Sequence, residues 1–306
     1  MEAGSAAVVG ERRRLINVAY RMLGSLAEAE DAVQETYARW YALPDDGRVA
    51  VEVPAAWLTR VVGRICLDQL GSARARRESY VGEWIPEPLP DHGEWGRGSA
   101  TGTVDPADRI TLDETVDLAF LVVLETMPPA ERVVFVLHDV FAYPFAEIAE
   151  IVGRTPAACR QLATAARRRV HAVRTPAAPT ARQAGVVRKF KEAWQACDIA
   201  ALVGLLDPAA AMTADGGGVA AAALRPVEGA ALIAQYLVHF ASRATGLTLL
   251  ERTVNGRPGL VARHGGSTVS VAAFDLGQDG RITRIWAVRN PEKLRAWNAP
   301  EAAGRP

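Results

Sequence analysis

The sequence predicts a multidomain protein in which two all-α helical domains precede a C-terminal α+β domain. Apolar residues recur at helical spacing through most of residues 9–77 and again from about 112 to 170. The segment between them is rich in proline and glycine, which is typical of a linker. Beyond about residue 244, apolar and polar residues alternate between glycine-containing turns, as in antiparallel strands. The predicted boundaries are 1–78 and 112–174 for the helical domains, 79–111 and 175–181 for the linkers, and 182–306 for the α+β domain.

Three helices are expected in the first helical domain. Apolar residues within 15–23 share one face of the first helix. Gly24 ends this helix, and Ser25 is placed to cap the second one. The third helix begins after Pro54. Its remaining surface is basic and carries Arg60, Arg64, Arg74, Arg76 and Arg77.

The second helical domain ends in a pattern typical of a helix-turn-helix. Apolar residues within 145–152 give a first short helix one buried stripe, and Gly153 supplies a left-handed residue that ends it. Thr155 is placed to cap a second helix that has Pro156 at its first position. This second helix turns outward five side chains of the kinds that contact base edges or phosphates in DNA. They are Arg160, Gln161, Thr164, Arg167 and Arg168.

The positive charge of this region is local. The whole chain has 35 basic and 35 acidic residues, yet residues 151–191 contain ten Lys or Arg and no Asp or Glu. A basic face on a neutral protein indicates docking to a polyanion, with binding that weakens as salt rises. The alternative is an ordinary solvated face at a helix C-terminus, where cations also interact favourably with the helix dipole.

Composition argues against several other classes of protein. No stretch approaches the roughly 18 consecutive apolar residues that a membrane helix requires, and the N-terminus lacks a signal-peptide pattern, so a cytoplasmic protein is expected. Cys66, Cys159 and Cys197 are far apart and outside any Cys-x-x-Cys spacing. They support neither a disulfide framework nor a zinc site and are expected to be small buried residues. We predict no metal and no cofactor.

The C-terminal domain is predicted to pack helices on a curved antiparallel sheet. Amphipathic helices are expected at about 182–197 and 228–243. Two alternating stretches flank a glycine-rich turn at 264–266, which is a hairpin signal. A further turn at 277–280 leads into a strand at 281–289.

Three segments of the helical part carry extended motifs. Residues 20–40 read YRMLGSLAEAEDAVQETYARW, residues 57–77 read WLTRVVGRICLDQLGSARARR, and residues 124–141 read LETMPPAERVVFVLHDVF before the helix-turn-helix. In that order they resemble regions 2.1–2.2, 2.3–2.4 and 4 of the extracytoplasmic-function sigma factors of bacterial RNA polymerase, a part of the sigma-70 family. The resemblance implies a transcription initiation factor that binds core RNA polymerase, through its β′ and β subunits, and promoter DNA.

The resemblance also implies roles for individual residues. Asp31, Gln34 and Glu35 are expected to bind the polymerase β′ subunit, although without the family they would be an ordinary solvated face. The outward residues of the helix-turn-helix are expected to read the minus-35 element, and the loop at 45–53 to hold a flipped base of the minus-10 element. The residues expected on the melted minus-10 strand are Trp57, Arg60, Arg64 and Arg74. For Trp57, base stacking and a place in the core remain open alternatives.

Three motifs narrow the resemblance further. Residues 84–89 read WIPEPL, residues 215–218 read DGGG, and residues 290–294 read NPEKL. They resemble the motifs WLPEPL, DGGG and NPDKL of the SigJ type of sigma factor, in which a cone-shaped α+β domain of the SnoaL-like or NTF2-like kind follows region 4. The resemblance implies that this domain regulates the chain in cis, in place of a separate anti-sigma factor. The residues expected to connect the domains are Trp84, Pro86, Glu87, Pro88, Asp215, Gly216, Gly217, Gly218, Asn290, Pro291, Glu292 and Lys293. Among them, Glu292 and Lys293 are expected to bridge to regions 2 or 4.

The C-terminal domain also admits an enzymatic interpretation. Catalytic members of the SnoaL-like fold need a carboxylate or histidine base inside the cone, and the candidates here are Asp215, Asp275, His239 and His264. They form no pair with a fixed spacing, so we predict that the protein is not an enzyme. The alternative is a small-ligand-sensing or isomerase-like and cyclase-like domain fused to a DNA-binding module.

Overall fold

The computed structural model describes residues 8, 10–78, 80–90, 117–173, 180–243 and 246–298. These residues form two compact units. The helical unit contains the described residues up to 78 and those from 120 to 173, and the α+β unit contains the others. Two helical segments followed by an α+β domain were predicted, and this fold class is confirmed.

The described residues up to 78 contain the helices α1 (Arg12–Leu23), α2 (Leu26–Tyr41), α3 (Asp45–Val49) and α4 (Pro54–Glu78). Gly24 ends α1 with φ 72°, and Ser25 Oγ accepts a hydrogen bond from Glu28 N at 3.4 Å, so the predicted caps are present. The segment at 45–53 was expected to be a loop, but its first half is α3. Asp45 and Asp46 favour this short helix because carboxylates interact well with a helix N-terminus.

The second part contains α5 (Leu118–Glu125), α6 (Pro129–Phe135), α7 (Phe145–Val152) and α8 (Pro156–Val173). A π-helical turn, Val136–Val140, follows α6 directly. Gly153 has φ 65° and separates α7 from α8. Thr155 Oγ1 accepts from Ala158 N at 3.2 Å, so the helix-turn-helix has the predicted turn chemistry.

The two parts of the helical unit pack directly on each other. Arg132 of α6 is 3% exposed and donates to Met22 O of α1 at 2.9 Å. Its guanidinium also pairs with both carboxylate oxygens of Glu125. Burial lowers the pKa of Arg132 to about 10, and the paired carboxylate compensates for that burial.

The α+β unit contains α9 (Thr180–Gln195), α10 (Ile199–Leu205) and α11 (Ala230–Arg243). Its strands are β1 (Leu206–Asp215), β2 (Val227–Glu228), β3 (Thr248–Val254), β4 (Arg257–His264), β5 (Ser267–Leu276) and β6 (Ile282–Val288). They form a six-stranded sheet in the order β2-β1-β6-β5-β4-β3. Only the β1–β6 pair among these strands is parallel. A short 3-10 helix (Pro291–Leu294) and α12 (Arg295–Asn298) follow β6.

An apolar core fills the space between the helices and the sheet of the α+β unit. Phe190 of α9 packs its ring 5.2 Å from that of Phe274 on β5. Trp194 Nε1 donates to Leu237 O at 2.9 Å, which satisfies the indole inside the core. Met212 and Ile285 bring β1 and β6 into the same cluster. The interior between helices and sheet is therefore occupied by side chains.

The cysteines differ from their expected placement in one case. Cys66 and Cys159 are buried, but Cys197 is exposed. Cys197 has φ 54° in the turn after α9, and Asp198 then caps α10 by accepting from Ala201 N at 2.9 Å. The tight turn therefore places the thiol outside the core. No helix of the described ranges has the length and apolar character needed to cross a membrane.

Candidate nucleic-acid interface and linker anchor

Helix α8 presents the predicted DNA-contacting side chains on one exposed face. It buries Cys159, Ala163, Ala166 and Val170 against the rest of the helical unit. This anchorage fixes which residues point outward. The exposed residues include Arg160, Gln161, Thr164, Arg167 and Arg168.

Two acidic residues form ion pairs with arginines in the C-terminal half of α8. Arg167 Nε lies 2.5 Å from Asp139 Oδ1, and Arg169 Nε lies 2.8 Å from Glu131 Oε1. Glu131 is 4% exposed, so this carboxylate is held inside the unit and points one arginine of the cluster back toward α6. These partners were not predicted from the sequence, because each acid precedes its arginine by 28 or 38 residues.

Helix α4 carries the residues predicted for the minus-10 strand. Trp57 is half-buried and packs edge-on against Trp40, with 5.2 Å between ring centroids. This partial burial is compatible with base stacking and with a place in the core, the two alternatives for Trp57. Arg60 and Arg64 are exposed and contact α7. The side chain of Arg74 lies outside the described residues.

The predicted polymerase-binding residues lie together on α2. Asp31, Gln34 and Glu35 are all exposed. Glu35 Oε1 accepts from Arg39 NH2 at 2.6 Å, one turn further along the helix. This face of α2 thus presents the Asp31 carboxylate and the Gln34 amide to solvent, next to the ion pair between Glu35 and Arg39.

A buried carboxylate at the end of β1 holds the segment that follows α4. Asp215 is 0% exposed. Its Oδ1 accepts from Tyr80 OH at 2.6 Å and Gly217 N at 3.0 Å. Its Oδ2 accepts from Ile85 N at 3.1 Å and Lys293 Nζ at 2.6 Å. Four donors from three separate segments therefore converge on one carboxylate.

Lys293 connects the same three segments. Its ammonium also donates to Ile85 O at 2.6 Å and lies 3.1 Å from the ring centroid of Trp84. Asn290 Nδ2 donates to Tyr80 OH at 2.9 Å. Burial, together with the hydrogen bond to the carboxylate, raises the pKa of Tyr80 above its usual value, so the phenol stays a donor. The three predicted motifs meet one another at this point.

The contacts of the NPEKL motif differ from those expected. Lys293 was expected to bridge to the helical regions, but its ammonium is buried and pairs with Asp215 inside the α+β unit. Glu292 is exposed, and its carboxylate lies 4.0 Å from the guanidinium of Arg295. The turn after β6 directs Lys293 inward, because Pro291 begins a 3-10 helix that Asn290 caps.

Glycines of the DGGG motif allow this close packing. Gly217 has φ 63°, and a Cβ there would lie 2.5 Å from Asn290 Cγ. A Cβ at Gly216 would lie 2.1 Å from Ala220 O. Neither position accepts a side chain without displacing its neighbours. Gly218 also has a positive φ, of 73°.

The rest of the WIPEPL motif lies along the α+β unit. Pro86, Glu87 and Pro88 are buried. Pro88 O accepts from Trp297 Nε1 at 2.7 Å, and Leu89 N donates to Asn255 Oδ1 at 3.0 Å. We call residues 80–90 the strap. The strap is thus held along its length as well as at Asp215.

The candidate catalytic bases of the α+β unit do not come together. Asp215 is saturated by its four donors, and His239 and His264 are exposed. Asp275 is half-buried beside Asp117, and burial raises the pKa of its carboxyl, with the nearby acid adding to the effect. The buried cluster of this unit, as far as the structure describes it, is made of apolar side chains. Metal-ligating groupings of three or more His, Cys, Asp or Glu are also absent from the described residues.

Comparison with known proteins gives consistent similarities along the chain. Residues 8–76 match the family model for sigma-70 region 2, and residues 117–170 match that for sigma-70 region 4. The chain is 36% identical to the ECF RNA polymerase sigma factor SigJ of Mycobacterium tuberculosis, over 96% of this chain and 94% of that protein. It is 37% identical to the probable ECF sigma factor SigI of the same species, over 98% of both. The crystal structure of SigJ is similar with a TM-score of 0.72 and 33% identity, covering 97% of this chain and 99% of that one.

Proposed function

Because the chain belongs to the extracytoplasmic-function family of RNA polymerase sigma factors, we propose a specific surface for each step of promoter recognition and transcription initiation. Helix α8 reads the minus-35 element. Arg160, Gln161 and Thr164 face base edges, and Arg167 and Arg168 bind phosphates. The exposure of all five side chains on one anchored helix supports this assignment.

Helix α4 and the segment before it contact the melted minus-10 strand. Trp57 stacks on a base, and Arg60, Arg64 and Arg74 bind phosphates. The contact of Trp57 with Trp40 supports this role, because a ring fixed on one side loses little freedom when a base stacks on the other. Residues 45–53 receive the flipped base, and the exposure of Val49 and Val53, at 86% and 58%, gives that base an apolar surface to contact.

Core polymerase binds the exposed face of α2. Asp31, Gln34 and Glu35 are presented together, and carboxylates of this kind form strong charge-assisted hydrogen bonds with basic helices of a partner. The β′ subunit is the partner expected for this face from the family.

The α+β unit, which has a SnoaL/NTF2-like fold, regulates initiation in cis by holding the strap. The observation that carries this proposal is the convergence of Tyr80, Ile85 and Lys293 on buried Asp215. The strap begins where region 2 ends. Six residues after the linker and just before α5, Asp117 pairs with Arg257 at 3.6 Å. The chain is therefore held by the regulatory unit on both sides of residues 91–116, which supports regulation in cis without a separate anti-sigma factor.

This regulatory unit acts without catalysis. Its interior is filled by Phe190, Trp194 and Phe274, where a catalytic member of the fold would need a cavity with a base. The candidate bases are exposed, partly buried at an edge, or saturated by donors, as described above.

The test is in vitro transcription by the full chain with bacterial core RNA polymerase on a panel of candidate promoters, including DNA upstream of its own gene. We expect specific transcripts that depend on the chain. Tyr80→Phe removes one donor from Asp215 and loosens the strap, so it should raise transcript yield, whereas Tyr236→Phe makes the same chemical change elsewhere in the α+β unit and should not. Equal yields from wild type and Tyr80→Phe would contradict the regulatory role of the strap.

A further inference from the structure

The π-helical turn Val136–Val140, which we call the π-turn, precedes the helix-turn-helix. Phe141 N donates to Val136 O at 3.2 Å, which is the five-residue spacing of a π-helix. Single π-helical turns are rare in proteins and occur frequently at functional sites. Each turn takes more residues than a turn of α-helix, so consecutive side chains diverge less in direction. As a result, the consecutive residues His138 and Asp139 both contact the helix-turn-helix.

Asp139 holds Arg167 of α8. Asp139 Oδ1 accepts from Arg167 Nε at 2.5 Å. The side chain of Asp139 is 19% exposed and that of Arg167 is 44% exposed, so the carboxylate is sheltered while the guanidinium reaches solvent. A bond through Nε leaves the donors of the two terminal nitrogens for another acceptor, such as a phosphate. The carboxylate therefore orients Arg167 without occupying all of its donors.

Contacts of His138 lead to Arg160 through the ring of Phe145. His138 Nδ1 lies 2.8 Å from Tyr143 O, and because a carbonyl oxygen only accepts, Nδ1 carries the proton and donates. This bond orients the imidazole, whose centroid lies 3.8 Å from that of Phe145 in a stacked arrangement. Arg160 Cζ lies 6.0 Å from the centroid of the same phenyl ring, at the outer range of a cation–π contact. An oriented aromatic ring thus lies beside the guanidinium of Arg160.

Arg160 and Arg167 are seven residues apart, so they share one face of α8 and are about 10 Å apart along its axis. Both are exposed, whereas Cys159, Ala163 and Ala166 hold the opposite face in the core. Long arginine side chains lose rotamer freedom when they bind a partner. Contacts that order an arginine before DNA arrives reduce this loss and limit the directions in which its guanidinium can point.

We propose that His138, Asp139 and Phe145 are positioning residues that set the specificity of minus-35 recognition through Arg160 and Arg167. The inference rests on the proposed function of α8. Asp139 directs Arg167 to one phosphate, which fixes the register of the helix on the duplex. Phe145, stacked on His138, restricts Arg160 to one base edge and prevents it from turning toward a wrong base.

The charge of Asp139 allows positioning to be distinguished from simple electrostatics. A carboxylate beside DNA repels phosphates, so an Asp139 that acted only by its charge would weaken binding to every sequence. Its removal would then tighten binding. If Asp139 positions Arg167, its removal weakens binding instead, and only while Arg167 is present.

The first test uses holoenzyme assembled from the full chain and bacterial core RNA polymerase. Fluorescence anisotropy measures its binding to labelled duplex DNA that carries a minus-35 sequence selected from a randomised pool. Asp139→Asn should weaken binding about two- to tenfold, and the effect should disappear in the Arg167→Ala background. Glu147→Gln neutralises an acid of the neighbouring helix α7 and is the control, which should not weaken binding.

The second test measures the ratio of affinities for the selected and a mutated minus-35 sequence. Phe145→Leu keeps an apolar side chain but removes the ring, so this ratio should fall about two- to tenfold in the same assay. Phe145→Tyr retains the ring and should retain the wild-type ratio. His138→Ala should lower the ratio in the same direction as Phe145→Leu. Circular dichroism verifies that each variant is folded.

The outcomes separate this inference from the proposed function. Tighter binding by Asp139→Asn, or an effect that persists in Arg167→Ala, overturns the positioning role of Asp139 and leaves the DNA-binding role of α8 intact. Equal losses on both sequences from Phe145→Leu show a general effect on stability and overturn its role in specificity. If Arg160→Ala and Arg167→Ala both leave binding unchanged, the proposed function of α8 is itself wrong.

Discussion

The ammonium of Lys293 and the carboxylate of Asp215 form an ion pair at 2.6 Å inside the α+β unit, where Lys293 is 5% exposed and Asp215 is 0% exposed. Both ions have lost their hydration, so the pair is sustained by its additional hydrogen bonds and by the ring of Trp84 beneath the ammonium. Such a pair is a modest source of stability but a strong constraint on structure. It fixes the strap to β1 and to the turn after β6.

Replacement of Lys293 should be strongly destabilising. Lys293→Met leaves the Asp215 carboxylate buried without its counter-ion, which typically lowers the free energy of unfolding by about 3–5 kcal/mol. Urea denaturation of the full chain measures this change. Lys189→Met is the matched control at an exposed position of α9 and should change the free energy by less than about 0.5 kcal/mol. A similar small effect for both variants would contradict the importance of the buried pair.

A side chain at Gly217 should disrupt the same cluster. Gly217→Ala forces a residue with Cβ into φ 63° and places that Cβ 2.5 Å from Asn290 Cγ, so we expect a loss of about 1–3 kcal/mol in the free energy of unfolding. Gly185→Ala is the control, because a Cβ there meets nothing within 4 Å on helix α9. It should be neutral or stabilise by about 0.5–1 kcal/mol. Urea denaturation curves of the two variants measure both changes in the free energy of unfolding. Equal stabilities of Gly217→Ala and Gly185→Ala would contradict the close packing of Gly217 against Asn290.

Replacement of Asp275 should make stability depend less on pH. Burial, followed by the neighbouring Asp117, raises the pKa of Asp275 in the folded state, while Arg284 and Arg257 oppose this shift. Below the usual pKa of an aspartate, about 3.9, protonated Asp275 makes its full contribution to the stability of the folded state. This contribution is lost as the pH rises through the raised pKa that Asp275 has in the folded protein. Asp275→Asn should therefore be more stable than wild type near neutral pH, with the difference vanishing in acid. Urea midpoints across this range test it, with Glu192→Gln as a control for net charge. If Asp275→Asn were more stable than wild type only at acid pH, the raised pKa of Asp275 in the folded state would be contradicted.

Loss of Asp31 should weaken binding to core polymerase. Removing one partner of a desolvated charge pair at an interface costs about 2 kcal/mol or more, chiefly through faster dissociation. Biolayer interferometry with immobilised core polymerase measures both rates. Glu192→Ala removes an exposed carboxylate from α9 and should leave binding unchanged. Equal affinities for the two variants would place the polymerase surface elsewhere.

Two arginines of α8 should differ in how they affect promoter binding. Arg160→Ala removes a base contact and should cost about 1–3 kcal/mol on the preferred minus-35 sequence, with relaxed specificity. Arg168→Ala removes a phosphate contact and should weaken binding to all sequences while reducing the salt slope by about 1. Holoenzyme binding to matched and mutated minus-35 sequences over a salt series distinguishes the two. Uniform losses from Arg160→Ala would show that it binds phosphate instead.

The sequence by itself determined the features that depend on neighbours within a few residues. Ser25, Gly153 and Thr155 end or cap helices through contacts with residues up to four positions away, and these caps are present as predicted. The outward set on α8 follows from helical periodicity alone. The family motifs also allowed the α+β domain to be expected before its strands were known.

Only the tertiary structure decided which distant residues meet. Tyr80 is 135 residues from Asp215, and Lys293 is 78 residues from it, so local rules gave no reason to pair them. From the sequence alone, Lys293 was consequently expected to contact the helical regions. Likewise, the sequence gives no reason to pair Arg60 with Glu150, because the two side chains meet only when α4 and α7 pack together. Caps and periodicity are set by backbone geometry over one turn, whereas these pairs exist because burial of apolar surface brings separate helices and strands into contact.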